Sequence, residues 1–365
     1  GAHIVASAIY LNKKVECLRL EALEEIQDYK FFYNRNLPTK ILDLAALKFL
    51  EYANNVYLAF IWPIAKGKDK LIEENIPNII YRKQIKLNAN GAHNLLSQIY
   101  FSEKWIGDVE NNFKGAQFKL VECFKNFDPI RVIAFQADSL VKTNKIKDKI
   151  REIFKIGKSS IHITDTKEET LRLAKLIFND NGINFLNFAY PNKYTSTHQK
   201  IEKFKNFINL NKLNKDDFLI DSSLILSCYG LREAKDIDYL FSKDLNLKYN
   251  FDEISSHDEE LKYHKVLKTD LIYNPKFYFY FNNLKFISID QLYKMKINRA
   301  EKKDQRDCAL MKNYITNNMH NIFIDKFKQN FFYYKALVRY IIISILKFLG
   351  VYKILWKIYK VINNK

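Results

Sequence analysis

Apolar positions in residues 126–188 recur with two alternating periods. Arg131 to Ala137 is a nearly unbroken apolar run of strand length, whereas 143–154 places Ile146, Ile150 and Ile153 on one helical stripe. Ser160–Thr164 then reads as a strand and Lys167–Phe178 as a helix opened by a capping box, Thr166 with Glu169 three residues on. Asn184–Phe188 reads as a third strand. This β-α-β-α-β order predicts a parallel sheet with crossover helices, whose ligands gather at the carboxyl ends of the strands. Upstream, the spacing predicts a helix over Ile41–Asn55, an apolar strand over Val56–Ala65 interrupted near its end by Pro63, and a helix over Ala92–Ile99.

A different pattern follows. A strand ending at Asp221 leads into Ser222-Ser223, then into an apolar helical run stopped by Gly230, and then into the strand Asp236-Ile237-Asp238-Tyr239. Side chains alternate along a strand, so Asp236 and Asp238 share one face and together can hold a divalent cation. Further on, the aromatic run Phe277–Phe281, the pair Asn282-Asn283 and Leu284–Ile287 give a hairpin signal. Ser288 or Asp290 caps a helix running to Arg299. On it Lys296 and Arg299, with Lys303 beyond, share a face that is either a phosphate clamp or a solvated surface paired with Asp304 and Asp307.

The serine turn, apolar helix, glycine stop and D-x-D strand, within 217–310, resemble the nucleotidyltransferase superfamily. The resemblance implies a mixed-sheet domain in which Ser222 and Ser223, with Arg232, Lys296 and Arg299, face nucleotide phosphate. It also implies that Asp236 and Asp238 are catalytic and bind Mg²⁺ or Mn²⁺. Ser222 departs from the family, which has glycine there, so close backbone approach to a phosphate is less expected. The family adds a third carboxylate from a later strand. Asp270, in Val266-Leu-Lys-Thr-Asp-Leu-Ile-Tyr273, is the choice over Asp258 and Glu260, which lie in a polar loop.

With 365 residues, 48% of them hydrophobic, the chain can bury a sizeable core. Four regions are expected: a mixed α/β region at 1–125, the βαβαβ domain at 126–212, the nucleotidyltransferase-like domain at 213–316 and a C-terminal helix at 317–365. The overall class is α/β in its units and α+β as a whole. The formal net charge of +18 points to an anionic partner, nucleic acid, acidic lipid or a phosphate-bearing donor, but the Lys- and Asn-rich composition is also what an AT-rich genome produces. Cys17, Cys123, Cys228 and Cys308 are too dispersed for a zinc site or a disulfide framework, which fits a reducing compartment. The chain opens Gly1-Ala2-His3 without methionine or a signal-peptide pattern, leaving room for native sequence upstream.

Two further places carry candidate chemistry. His162, between isoleucines and close in sequence to Asp165, is either a general base or phosphate ligand or a hydrogen-bonded strand histidine. Trp105, in a loop with Asp108 and Glu110, either stacks on a base or sugar or anchors the core. Gly157-Lys158-Ser159 lacks the leading glycine of a phosphate loop and precedes a strand, so it is not one. In 331–361 the charges interrupt every apolar run, so none reaches the roughly 20 residues of a membrane span. At about 100° per residue, Lys335, Arg339, Lys353, Lys357 and Lys360 fall on one arc opposite Leu337, Ile341, Phe348, Leu355 and Ile362, with Lys347 off it. That is either a helix lying in an anionic membrane interface or one docked on the core, and Gly350 is a place for it to bend.

The tail looks like those of capsule and lipooligosaccharide transferases from AT-rich bacteria such as Campylobacter. The combined resemblance implies a cytoplasmic enzyme, peripheral on the inner face of the inner membrane. It would move a phosphoryl-type group, for instance O-methyl phosphoramidate, from a nucleotide-activated donor to a hydroxyl of a carbohydrate or lipid-linked saccharide. Nucleic acid is not an expected partner. The alternatives are a metal-dependent glycosyltransferase with a nucleotide-sugar donor, a nucleotidyltransferase acting on tRNA or protein, and a non-catalytic nucleotide- or lipid-binding protein.

Overall fold

The computed structural model describes residues 39–125, 127–243, 249–315, 334 and 337–363. Cys17, the residues before Thr39, Lys335 and the side chains of Lys360 and Ile362 lie outside that description. The chain is a mixture of helices and two sheets. In order, its first part is α1 (Thr39–Tyr52), β1 (Val56–Ile61), α2 (Asp69–Asn75), β2 (Ile79–Ile85), α3 (Ala89–Tyr100), α4 (Lys114–Cys123), β3 (Ile130–Gln136), α5 (Leu140–Phe154) and β4 (Ile161–Ile163). Three helices follow, α6 (Lys167–Ile177), α7 (Asp180–Phe188) and α8 (Thr195–Leu210).

The first sheet has the order β2-β3-β1-β4, and every neighbouring pair is antiparallel. This corrects the expected parallel βαβαβ unit. The β3–α5–β4 crossover exists, but β1 lies between its two strands and pairs with both. The boundary expected at 125/126 therefore falls inside one sheet. β1 is buried along its whole length because both its faces are covered. Val56, Leu58 and Phe60 join the large core, while Tyr57, Ala59 and Ile61 pack with Ile133, Phe135 and Ile146 on the opposite face. Each large apolar side chain so buried contributes about 1.5–3 kcal/mol.

The third expected strand, Asn184–Phe188, is helical and forms the end of α7. The Asn179 side chain caps that helix by accepting from the Asn181 and Gly182 amides, and Phe185 and Leu186 are its buried face. The cap on α6 is as expected, with Thr166 Oγ1 accepting from the Glu169 amide at 3.1 Å. The Glu169 carboxylate reaches back to the Asp165 amide at 2.8 Å.

The second sheet is mixed, with the order β7-β6-β5-β9-β8, from β5 (Phe218–Asp221), β6 (Ile237–Phe241), β7 (Ile254–Ser256), β8 (Tyr278–Phe281) and β9 (Leu284–Ile287). The β5/β6 and β8/β9 pairs are antiparallel, and β5/β9 and β6/β7 are parallel. Between these strands lie α9 (Ser223–Cys228), α10 (Leu261–His264) and α11 (Lys268–Tyr273); after them come α12 (Ile289–Arg299) and α13 (Lys302–Ile315). Asn282 and Asn283 both have positive φ, 48° and 65°, as a two-residue hairpin turn requires. Phe185, Phe204, Phe218 and Phe279 carry one core across both sheets. At the C-terminus the chain is helical at 337–348, turns at Gly350 with φ 74°, and continues as α14 (Tyr352–Asn363). No helix among the described residues is long and apolar enough to cross a membrane.

Candidate functional site

The turn after β5 takes the shape expected from its sequence. Asp221 ends the strand, Ser222 has φ 62° and ψ −127°, and α9 starts at Ser223 with every residue buried. A non-glycine residue in this region stores strain of about 1–3 kcal/mol, and glycine would adopt it at less cost. The Ser222 amide donates to Asp221 Oδ1 at 2.7 Å and is engaged within the turn. Gly230 ends the helical segment at φ 70°, with Tyr190 Cβ only 2.8 Å from where a Cβ would stand.

Asp238 lies on β6 directly opposite Asp221 in the antiparallel register, so the two carboxylates belong to one face of the strand pair. Asp236, just before β6, accepts from Ser223 Oγ at 2.9 Å, and Asp238 accepts from Ser255 Oγ at 3.3 Å. Burial pushes the Asp238 carboxyl above its ordinary range, and the charges of Asp236 and Asp221 push the same way, against His257. Like charges gathered at a half-buried carboxylate are relieved by a cation. The expected Mg²⁺ and Mn²⁺ are both ions that take carboxylate oxygens.

Asp221 is fully buried and carries a structure that the sequence did not suggest. His257 Nδ1 and His264 Nε2 both donate to its Oδ2, at 2.8 and 2.9 Å. Burial opposes its charge, but His264 and His257 outweigh it and hold the carboxyl far below the usual range. On His257 burial is likewise outweighed, by the bond to Asp221, and its pKa is raised. The donor atoms of the three residues lie within 4.8 Å of one another, close enough to share a metal ion. Two imidazoles and a carboxylate suit a transition ion better than Mg²⁺. A ligating imidazole ordinarily has a hydrogen-bond partner on its other nitrogen, whereas His264 Nδ1 is buried without one. The geometry is that of an Asp221 anchor orienting two rings.

The other expected site residues go elsewhere. Asp270 stands in the first turn of α11, not on a strand, and the carboxylate that faces Asp238 is Asp221. Arg232 makes a two-pronged pair with Asp307, at 2.6 and 2.8 Å. Lys296 is buried and bonds Asp304 at 3.0 Å and Asp307 at 2.9 Å, while Arg299 grips both oxygens of Asp304 at 2.8 Å. These cations tie α13 to α12 and to the segment after α9, which corrects the phosphate-clamp reading in favour of pairing with Asp304 and Asp307. The paired surface is buried, not solvated, at Lys296, Asp304 and Asp307.

His162 is on β4 in the first sheet, opposite Phe60. It bonds Glu169 at 3.1 Å, while the expected partner Asp165 pairs with Lys147. His162 lines a cavity of about 910 Å³ with Tyr100, Trp105 and Arg172, and none of Asp221, Asp236 or Asp238 borders it. Asp108 and Asn111 bond each other's backbone and shape their own loop.

His257 and His264 were missed because they lie 36 and 43 residues beyond Asp221, and only pairing of β6 with β7 and the packing of α10 bring them there. The available signal was the placing of two histidines seven residues apart just after a short polar strand. No family model, curated protein or solved structure matches the chain.

Proposed function

We propose that the chain is a cation-dependent transferase that moves a phosphoryl-type group from a nucleotide-activated donor to a sugar hydroxyl. The observation that carries this reading is the convergence of Asp221, Asp236 and Asp238 on a strained strand-to-helix turn, with His257 oriented by Asp221. Asp236 and Asp238 would hold a divalent cation, which when bound neutralises charge on the donor's phosphate oxygens. Ser223 orients Asp236 through its hydroxyl. His257 Nε2 takes the proton of the acceptor hydroxyl as its oxygen forms the new bond to phosphorus. The nucleotide leaves with the electron pair of the bond that breaks. O-methyl phosphoramidate is one such phosphoryl-type group.

The same reading places the enzyme on an anionic membrane surface through its C-terminal helices. Ile341, Ile345, Phe348 and Leu355 are exposed there together with Arg339, Lys347, Lys353 and Lys357. Apolar burial and basic charge are the two contributions an interfacial helix combines.

The test is thermal stability in a panel of nucleotides and nucleotide-activated donors, each with and without Mg²⁺ or Mn²⁺. A bound pair of cation and nucleotide raises Tm by about 3 °C or more at roughly 100 times Kd. Asp236→Asn with Asp238→Asn abolishes the shift while leaving the unliganded Tm within about 2 °C. An equal shift in that variant removes the carboxylates from the site, and release of sugar from a nucleotide sugar would assign glycosyl transfer instead.

A further inference from the structure

The cavity around His162 is separate from the acidic turn. It touches the β8–β9 turn at Asn283. In the parallel β5/β9 pair, Ile220 stands beside Phe286, so Asn283 is level with Asp217. Asp221 is four residues further along, about 13 Å at 3.3 Å per residue. No residue of β5, and none of Asp221, Ser222 or Ser223, lines the cavity.

The volume of about 910 Å³ is that of a small-molecule site. Its lining holds five Lys and Arg side chains and five Asp and Glu side chains, so its formal charges balance. The cations are largely engaged. Lys147 pairs with Asp165 at 3.0 Å and Lys119 with Glu122 at 3.3 Å, and Arg172 lies 4.7 Å over the Phe101 ring. Aromatic surface is on offer as well: Trp105 is 48% exposed, with its ring 5.1 Å from that of Tyr100, which in turn meets His162 edge-on at 5.2 Å. Glu103 and Glu168 are exposed at the lining.

We infer that this cavity binds a neutral saccharide. A pyranose has an apolar C–H face that lies against an aromatic ring and a rim of hydroxyls that donate to carboxylates and accept from lysine, arginine or histidine N–H groups. Trp105 and Tyr100 supply the ring surface, Glu103 and Glu168 accept from hydroxyls, and the His162–Glu169 pair fixes the floor. Ion pairs already made within the wall keep it charge-balanced, which favours a neutral ligand over a phosphate. This site goes beyond the proposed transfer and stands without it.

The test is retention of the full chain on an array of neutral and anionic bacterial-type oligosaccharides, followed by calorimetry with the best neutral one. The expected result is a neutral glycan bound with Kd of about 10 μM to 1 mM, weakened about tenfold or more by Trp105→Ala and by Glu168→Ala. Both side chains are exposed, so Tm and the cation-dependent nucleotide shift stay as in the wild type. Retention of no neutral glycan overturns the inference, as does binding indifferent to both substitutions or displaced by inorganic phosphate. A chain that binds glycan but no nucleotide sustains this site and rejects the proposed transfer.

Discussion

Lys285 shows how far a single side chain is committed by this fold. It sits on β9 at 1% exposure, with Nζ 5.0 and 5.1 Å from the Tyr273 and Tyr278 ring centres and donating to the Ile272 carbonyl at 2.6 Å. Burial pushes its pKa down to about 7, against the pull of Asp216 and Asp217. Between that value and the ordinary lysine range the unfolded chain binds a proton that the folded chain does not, so stability rises with pH across this window. One such proton gives a slope of up to about 1.4 kcal/mol per pH unit. Denaturant unfolding of wild type and Lys285→Met at pH 7, 8 and 9 should show the slope reduced by about that amount in the variant, even if the lost bond to Ile272 lowers its stability throughout. Equal slopes would mean that Lys285 stays protonated in the fold.

At the level of elements, the local signals were legible and the long-range pairings were not. The Thr166 cap, the Asn282-Asn283 hairpin and the strand-turn-helix over 218–230 all depend on neighbours in sequence, and all form as expected. The β3–α5–β4 unit also forms, but nothing within it announces that β1, some 70 residues earlier, inserts between its strands. Asn184–Phe188 and the segment around Asp270 are short apolar runs whose period cannot separate strand from helix. The Asn179 cap made the first helical, and a six-residue helix with Leu271 and Ile272 buried made the second so. At the site, Asp236, Asp238, Ser222 and Ser223 come together because one short helix and its turns join β5 to β6. The shared face of Lys296 and Arg299 was read correctly, but its partners Asp304 and Asp307 close it with ion pairs.

On the scale of the whole molecule, the acidic turn stands apart from the balanced cavity and the C-terminal helices. The last two meet where Arg339 lies 5.4 Å over the ring of Phe118, a residue of the cavity wall. A helix that settles on a membrane would thus hold the cavity beside lipid headgroups. Phe348 is 90% exposed, and each basic residue near an anionic surface adds about 1 kcal/mol of attraction. Replacing Arg339, Lys347, Lys353 and Lys357 by Gln should therefore weaken sedimentation with phosphatidylserine vesicles far more than replacing one, and added salt should weaken it further. Deleting 331–365 should release the protein without lowering its Tm. Undiminished sedimentation of the truncated chain, or its unfolding, would show that the helices serve the core. The central claim, that the acidic turn is a cation-dependent nucleotide site, is tested most directly by Mn²⁺ binding followed by electron paramagnetic resonance, with and without a nucleoside diphosphate. The account predicts a Mn²⁺ ion bound more tightly in the presence of nucleotide and at least about tenfold more weakly in the Asp236→Asn, Asp238→Asn variant. Mn²⁺ held equally well by that variant, or not held by the folded wild type with nucleotide, would contradict it.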